Sequence, residues 1–555
     1  MELRRAAVLG GGPGGLYAAR LLKLARPACD VVVYEQGEPG RTFGFGVGLA
    51  AGTQRNLAAA DPDTLRDIVA AGYRHDMTLR AGGRTVRVHN DRLVGIARTE
   101  LLAILQRYTE KAGVRLEFGT RPRAADLEAD IVIAADGISS STRDDGDFGT
   151  SIETGRGLYL WCGAGFALDD AVFAPAETEY GPFVTHAYPC AEGLSTFLIE
   201  TDEATWRRAG FDVSTGQTAG DASDLVALHY LEQAFAETLR GHPLIGNRTR
   251  WTRFRTVRCR RWSAGRTVLL GDAAHTAHFS IGSGTKLAME DAIGLVEALG
   301  AEDDTAAALA RYEANRRPAV ERMQEPARRS QLWWESFPGR LSLPAERLMV
   351  AYMTRAGNVA LDRFAATNPD VVGEALGQYE DAGAGGTGEV VGEAGALDGA
   401  GRSRRARGAG AGTGVTGEVA VGTGGTPGGP GDITTWVLSR SLEYAGRTFP
   451  SRVLDGPGRV TLHTISDVVS DPWDESGDAV VAAARRARAA GAGGFRFRGP
   501  PDRPAVLTRL DLAERVRTEV GGLIVVEGPA AVRDDLAAGL VSGRADLISY
   551  SEEEA

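Results

Sequence analysis

The sequence predicts an α/β fold, and three stretches predict it. "AAVLGGGPGGLYAARLLKL" near the N-terminus reads as strand, glycine turn and helix. "CDVVVYEQ" follows as a second buried strand, and "ADIVIAADGISSSTR" adds a third, Ile131–Ala134, that runs into Asp136-Gly137. Short apolar runs separated by a helix of period 3.6 are the pattern of a parallel sheet covered by helices.

The first stretch is the most specific. Gly10, Gly12 and Gly15 stand in the GxGxxG pattern, and Leu16, Ala19, Leu22 and Leu24 mark the helix after it. Gly10 permits the tight turn, Gly12 lets backbone approach a pyrophosphate, and Gly15 allows close helix–strand packing. The helix N-terminus then faces anionic phosphates. Glu35 ends the second strand 20 residues beyond Gly15, where an acid hydrogen-bonds an adenosine ribose. Strand, turn, helix, strand and acid together predict a bound dinucleotide without saying whether it is FAD or NAD.

Length and composition bound the rest. A chain of 555 residues is too long for one ordinary core, so two or three domains are expected. Apolar content of 43% and charged content of 24% are those of a soluble globular protein. The net charge of −11 disfavours nucleic acid as a partner. Cys29, Cys162, Cys190 and Cys259 lie far apart with no CxxC, which suits a reducing cytoplasm and neither a disulfide framework nor a zinc site. The sequence shows neither a signal peptide nor a membrane-spanning run, so no membrane is expected as a partner.

Two further stretches carry charge where a cofactor would need it. In "VGIARTELLAILQRYTEKAGVRLEFGT", Arg98 opens a helix whose dipole disfavours a cation there, so an anionic partner is expected. "GDAAHTAHFSIGSGTKLAMEDAIGL", from Gly271, follows an apolar run and places His275 and His278 beside a Gly-Ser-Gly turn. A metal site there lacks further ligands in register, so no metal is expected. Two strands ending in Asp136 and Asp272 fit an extended cofactor touched at several points.

The set GxGxxG, Arg-x-x-Leu at Arg98, Asp-Gly at Asp136 and GDAAH at Gly271 resembles the class A flavoprotein aromatic hydroxylases over roughly residues 5 to 330. "RTFGFGVGLA", "VTHAYP", "STFLIETDEATWRRAG", "FRTVRCRRW" and "GSGTKLAMEDA" narrow it to the salicylyl-CoA 5-hydroxylases and the flavin halves of 2-aminobenzoyl-CoA monooxygenase/reductases. The resemblance implies an FAD-binding, Rossmann-like (GR2-type) domain with an inserted β-sheet substrate domain. It implies NADH or NADPH used without a second Rossmann domain, O2, and an aromatic CoA thioester as substrate. Salicylyl-CoA giving its 5-hydroxylated product leads; 2-aminobenzoyl-CoA or a phenolic or indolic substrate free of CoA is the alternative.

By the same resemblance Arg98 contacts FAD, Asp136-Gly137 serves FAD and nicotinamide, and Asp272 holds the ribityl chain. Gly282 and Gly284 bring backbone N–H groups to the flavin ring. Many aromatic hydroxylases carry proline where this chain has His278 and Phe279, and asparagine where it has Lys286. These three are therefore the catalytic candidates. His278 is read either as a proton-handling or substrate-orienting group or as a packed loop histidine; Lys286 either adds charge at the flavin or is a solvated helix lysine. His275 is read as structural.

Substrate contacts are sought in two places. "FVTHAYP" alternates as a strand, with Val184, His186 and Tyr188 on one face, either lining a pocket or forming a core face. "RTRWTRFRTVRCRRW" holds seven arginines in 14 residues, Arg253 and Arg255 among them. Arginine binds phosphate bidentately, so coenzyme A suits the patch, with Trp251 and Phe254 to stack its adenine. A solvated strand edge paired with carboxylates is the plainer reading.

The expected boundaries are residues 1-155 and 255-330 for the FAD domain and 156-254 for the substrate sheet. A helical extension follows over 331-380. Between Asp381 and Gly431, 19 of 51 residues are Gly and none is aromatic, so this segment is expected as a linker. Residues 432-555 alternate strands and helices like the closing units of a flavin-dependent barrel. At that length they are expected to be a truncated TIM barrel without FMN, or a module for a partner or a homodimer.

Overall fold

The computed structural model describes residues 2–40, 42, 44–90, 93–384, 433–454, 460–466 and 469–551. They form two compact units, Met1–Val359 and Ala360–Ala555.

In the first unit the N-terminal stretch folds as strand Arg5–Leu9, helix Pro13–Ala25 and strand Asp30–Glu35. Arg5–Leu9 pairs in parallel with Asp30–Glu35 on one side and Ile131–Ala134 on the other. The sheet continues through Arg115–Phe118 at one edge and through Thr267–Leu269 and the short antiparallel Ser263–Ala264 at the other. Val8, Val33 and Ile133 share a register and are sealed on the face the helices cover, while Ala7, Leu9 and Val132 on the other face pack against Ala124, Leu127 and Ala129. Helices Pro13–Ala25, Arg98–Lys111 and Gly284–Ala301 pack together over one face.

The sheet expected to bind substrate is larger than predicted. Its strands run in the order Leu244–Ile245, Thr150–Ala164, Leu194–Thr201, Gly181–Ala191, Ala171–Thr178, Met77–Ala81, Arg84–Val88, and Thr252–Cys259 also pairs with Thr150–Ala164. The hairpin Met77–Val88 lies far outside the expected 156–254 segment and joins through a parallel pairing to Ala171–Phe173. Alternation divides the sheet. Leu160, Cys162, Phe183, Ala187, Phe197 and Ile199 belong to a core that helices Phe211–Gln217 and Leu225–Ala234 complete. Trp161, His186, Tyr188, Thr196 and Leu198 take the opposite positions. Trp251 also belongs to that core, 4% exposed and stacked on Phe211, so it is not free to stack an adenine.

The helical extension begins earlier than expected, because helix Thr305–Glu335 runs through residue 331 with Pro318 and Pro326 inside it. Ala345–Thr354 closes the unit, packing Tyr352 against Phe173, 5.1 Å between ring centres.

The second unit holds helices Leu361–Thr367, Pro369–Ala384 and Ile433–Ser439 and a hairpin, Leu442–Tyr444 with Arg447–Phe449. Helix Pro369–Ala384 takes in the first residues of the expected linker; its remainder, 385–431, lies outside the described residues. Strands Leu462–Ile465, Gly494–Phe497, Leu523–Gly528 and Leu547–Tyr550 form a parallel sheet in chain order, joined by helices Glu475–Ala489, Arg503–Val520 and Arg533–Val541.

Candidate active site

The glycine turn is shaped for a dinucleotide. A Cβ at Gly15 would come within 2.1 Å of the Gly10 carbonyl oxygen, and one at Gly10 within 2.3 Å of the Ala135 carbonyl. Both positions are closed by the chain itself, and Gly10 has φ +103°. A Cβ at Gly12 would meet nothing within 4 Å. The space over Gly12, at the N-terminus of helix Pro13–Ala25, is open for a pyrophosphate. Glu35 accepts hydrogen bonds from the backbone N–H groups of Gly11 and Gly37, each at 2.6 Å. Its carboxylate thus stands at the turn.

Arg98 and Asp272 lie near enough to interact electrostatically. Desolvation holds the Arg98 guanidinium below its ordinary pKa, opposed by Asp272 and Tyr188. Its Nε donates to Thr42 Oγ1 at 3.0 Å, and no carboxylate touches it among the described residues. Such a cation is short of negative charge. Asp272 is accessible on the cleft floor, yet crowding walls strip its hydration and raise its carboxyl, offset by His275 and Arg98. Asp136 accepts from Ser140 Oγ at 2.5 Å and from the Thr142 hydroxyl and amide, and Gly137 follows at φ +80°. Arg143, which no motif announced, donates to the carbonyls of Ile138 and Ala273 and so bridges the loops after Asp136 and Asp272.

His275, Asp291 and Arg316 form a buried network beneath the loop that follows Asp272. Beyond it the chain turns through Phe279–Ile281, passes Gly282 at φ +63° and enters helix Gly284–Ala301. No side chain crowds Gly282, and a Cβ at Gly284 would meet only Asp272 Oδ1, at 4.0 Å. The glycines leave room for a flat ring over backbone N–H groups. Lys286 lies half-buried one turn into the helix, without an ion pair among the described residues.

A cavity of about 240 Å³ lies between this turn and the open face of the larger sheet. Phe279, Ser280, Ile281 and Gly282 line it from one side; Trp161, His186, Tyr188 and Leu198 line it from the other. The sheet register explains the grouping, since Leu198 pairs with both Trp161 and His186, and Tyr188 with Thr196. Phe279 packs edge-on to Tyr159, 4.8 Å between ring centres. His186 Nε2 lies 3.2 Å from Glu200 Oε1, off the line of a hydrogen bond, and burial raises the Glu200 carboxyl. The Tyr188 hydroxyl donates to the Gly46 carbonyl at 2.9 Å, and burial raises its pKa. His278 is buried just behind the turn and is not among the lining residues.

Several contributors to this site were missed in the sequence, Leu198 among them. His75, Trp161 and Tyr352 line the cavity from segments that carry no motif. Only the period-2 pattern of "LYLWCGA" signals Trp161. The arginine cluster separates into paired and unpaired members. Arg253 joins Glu203 at 2.8 Å, Arg258 joins Glu153 at 2.8 Å, and Arg261 joins Asp147. Arg255 reaches only Ser139 Oγ, at 3.4 Å, and has no carboxylate among the described residues.

Comparison with known proteins agrees with this geometry. The FAD binding domain family model matches residues 96–327. The chain is 43% identical over 340 residues to the salicyloyl-CoA 5-hydroxylase of a Streptomyces species, covering 60% of this chain and 66% of that protein. It is 38% identical over 359 residues to the 3-hydroxy-4-methyl-anthranilyl-[aryl-carrier protein] 5-monooxygenase of Streptosporangium sibiricum, covering 64% of this chain and 95% of that one. A solved 2-methyl-3-hydroxypyridine-5-carboxylic acid oxygenase shares the fold, with TM-score 0.50 at 21% identity over 64% of this chain and 96% of the other. Among the described residues no helix is long and apolar enough to cross a membrane.

Proposed function

Because the chain belongs to the class A FAD-dependent aromatic hydroxylases, we propose that it hydroxylates the ring of an aromatic acyl-CoA with NADH and O2, salicylyl-CoA to 2,5-dihydroxybenzoyl-CoA being the leading case. The cavity carries this reading. About 150 Å³ suffices to hold benzene, so the 240 Å³ here accepts one substituted ring and its acyl group. The coenzyme arm then lies outside, and Arg255, which has no carboxylate partner among the described residues, is a cation for its phosphates.

When bound, FAD supplies the redox chemistry, carrying electrons from the nicotinamide to O2 and an oxygen atom to the ring. The chain's own work is placement. Gly10–Gly12 and the helix after them bind the pyrophosphate, and Arg98 and Asp272 hold the cofactor between them. The N–H groups at Gly282–Gly284 face the flavin ring, and Lys286 adds charge at that helix start. Trp161, His186 and Leu198 set the plane of the substrate ring against the turn at Phe279. The aromatic walls exclude water, which would divert the activated oxygen.

A protein-tethered aromatic acyl group is the second reading, favoured by the relative named for an aryl-carrier protein substrate. The C-terminal sheet, with four parallel strands in chain order among the described residues where a barrel needs eight, supports the reading of a truncated TIM barrel. Incubating the FAD-loaded protein with NADH and a panel of acyl-CoA thioesters and free acids, scored by product mass, tests the proposal. An added oxygen on salicylyl-CoA or 2-aminobenzoyl-CoA supports it. Turnover of free salicylate but not of its thioester removes coenzyme A from the reading, and a protein that binds no FAD ends it.

A further inference from the structure

The turn that faces the cavity is tied from behind by a line of polar side chains. Arg355 follows helix Ala345–Thr354, with its guanidinium buried against the Tyr352 ring at 4.1 Å. Its Nη2 donates to the Ser280 carbonyl at 2.7 Å, and its Nε donates to Ser330 Oγ at 2.8 Å. Ser330 Oγ lies 2.7 Å from Ser280 Oγ, which lies 2.8 Å from His278 Nδ1. Four residues from three segments thus make one continuous chain, buried throughout.

The direction of that chain follows from its two ends. A guanidinium has donors and no acceptor, so Ser330 accepts from Arg355 and has its one proton left to give. At the other end the backbone N–H of Ser280 points at His278 Nδ1 at 3.4 Å. A backbone N–H also only donates, so Nδ1 must present its lone pair. The arrangement that satisfies both ends runs Arg355 to Ser330 to Ser280 to His278. The reverse would set an Nδ1–H against the Ser280 N–H, two donors facing each other.

We infer that Arg355, acting through Ser330 and Ser280, fixes the proton of His278 on Nε2, so that His278 serves the site as a hydrogen-bond donor and not as a proton acceptor. The ring stays neutral, because burial and the neighbouring His186 and Arg355 all disfavour its cation. Nε2 has no protein acceptor among the described residues. Its proton is therefore free to donate to an oxygen of a bound group. His278 does not line the cavity itself but opens the turn whose next four residues do, and we take that oxygen to belong to the bound flavin or substrate. Arg355 and Ser330 are positioning residues, both beyond residue 327, where the family match ends.

Nitrogen-15 NMR of the FAD-loaded full chain, with labelled histidine and His278 assigned by its loss in His278→Gln, reads the tautomer directly. The expected spectrum at pH 7 shows a protonated Nε2 and a bare Nδ1. Ser330→Ala, a small change that leaves the loop its Arg355 contact, and Arg355→Met both convert the signal to a mixture of tautomers. A wild-type signal from Nδ1–H or from the imidazolium overturns the inference, and so does an unchanged tautomer in both variants. A shift of the Nε2 proton on FAD loading assigns the acceptor to the flavin, and a shift only with salicylyl-CoA assigns it to substrate. No shift with either removes the donor role. The tautomer stands without the acyl-CoA proposal; only the salicylyl-CoA arm rests on it.

Discussion

His275 Nε2 and Asp291 Oδ2 lie 2.7 Å apart, both sealed from solvent. The same carboxylate oxygen accepts the backbone N–H of Gly271, and its other oxygen accepts Arg316 Nε at 2.9 Å. Burial alone would raise the Asp291 carboxyl, but His275 and Arg316 outweigh it and hold it below the ordinary range. One aspartate thus ties the start of the loop that follows strand Thr267–Leu269 to helices Gly284–Ala301 and Thr305–Glu335.

Replacing Asp291 by alanine leaves His275 without its partner in the core and Arg316 with only Glu290, 3.6 Å away, among the described residues. Breaking a buried pair from one side costs about 3–5 kcal/mol, so Asp291→Ala is expected to lower stability by that amount. Urea unfolding of the FAD-loaded protein measures it; a loss near zero would mean that the network contributes no net stability.

The glycine turn separates two kinds of damage. Gly15→Ala places a methyl 2.1 Å from the Gly10 carbonyl and should destabilise the protein with or without FAD. Gly12→Ala meets no protein atom within 4 Å and should leave the apoprotein's melting temperature unchanged while abolishing FAD retention. Equal FAD affinity in wild type and Gly12→Ala would show that the pyrophosphate does not cross Gly12.

Tyr188 and Leu198 divide the cavity in a similar way. The Tyr188 hydroxyl is spent on the Gly46 carbonyl, so Tyr188→Phe should cost about 1 kcal/mol of stability and leave the KM for substrate nearly unchanged. Leu198→Trp fills the space between Trp161 and His186 and should abolish product formation at full FAD content. Steady-state kinetics beside flavin absorbance checks both; an active Leu198→Trp enzyme moves the substrate elsewhere.

The parts of this molecule that local physics dictates were legible in the sequence. Strand Ile131–Ala134 and the Arg98 helix start fall where apolar period and turn chemistry put them. Alternation also sorted His186 and Tyr188 onto one face. What no local pattern carries is the partner across a long loop. His75, Trp161 and Tyr352 meet at one cavity because strand pairing and helix packing bring distant segments together. The hairpin Met77–Val88 has an ordinary strand pattern that says nothing of which sheet it joins. Trp251 looked available because it sits among arginines, yet just before strand Thr252–Cys259 it packs into the core against Phe211.

Acid should weaken the fold through two buried histidines. Burial holds His75 below, and His278 well below, the ordinary histidine pKa, so both stay neutral in the folded state. The unfolded chain takes up those protons near pH 6.5. Between that value and each lowered folded pKa the unfolded state binds more protons, so stability falls as pH falls. The slope is at most about 1.4 kcal/mol per pH unit for each histidine. Stability from this source is fully present above pH 6.5 and is lost on acidification. Melting temperatures at pH 7, 6 and 5 should fall for the wild type and fall less steeply for His278→Gln and His75→Gln. Parallel curves in all three proteins would show that neither histidine is held neutral.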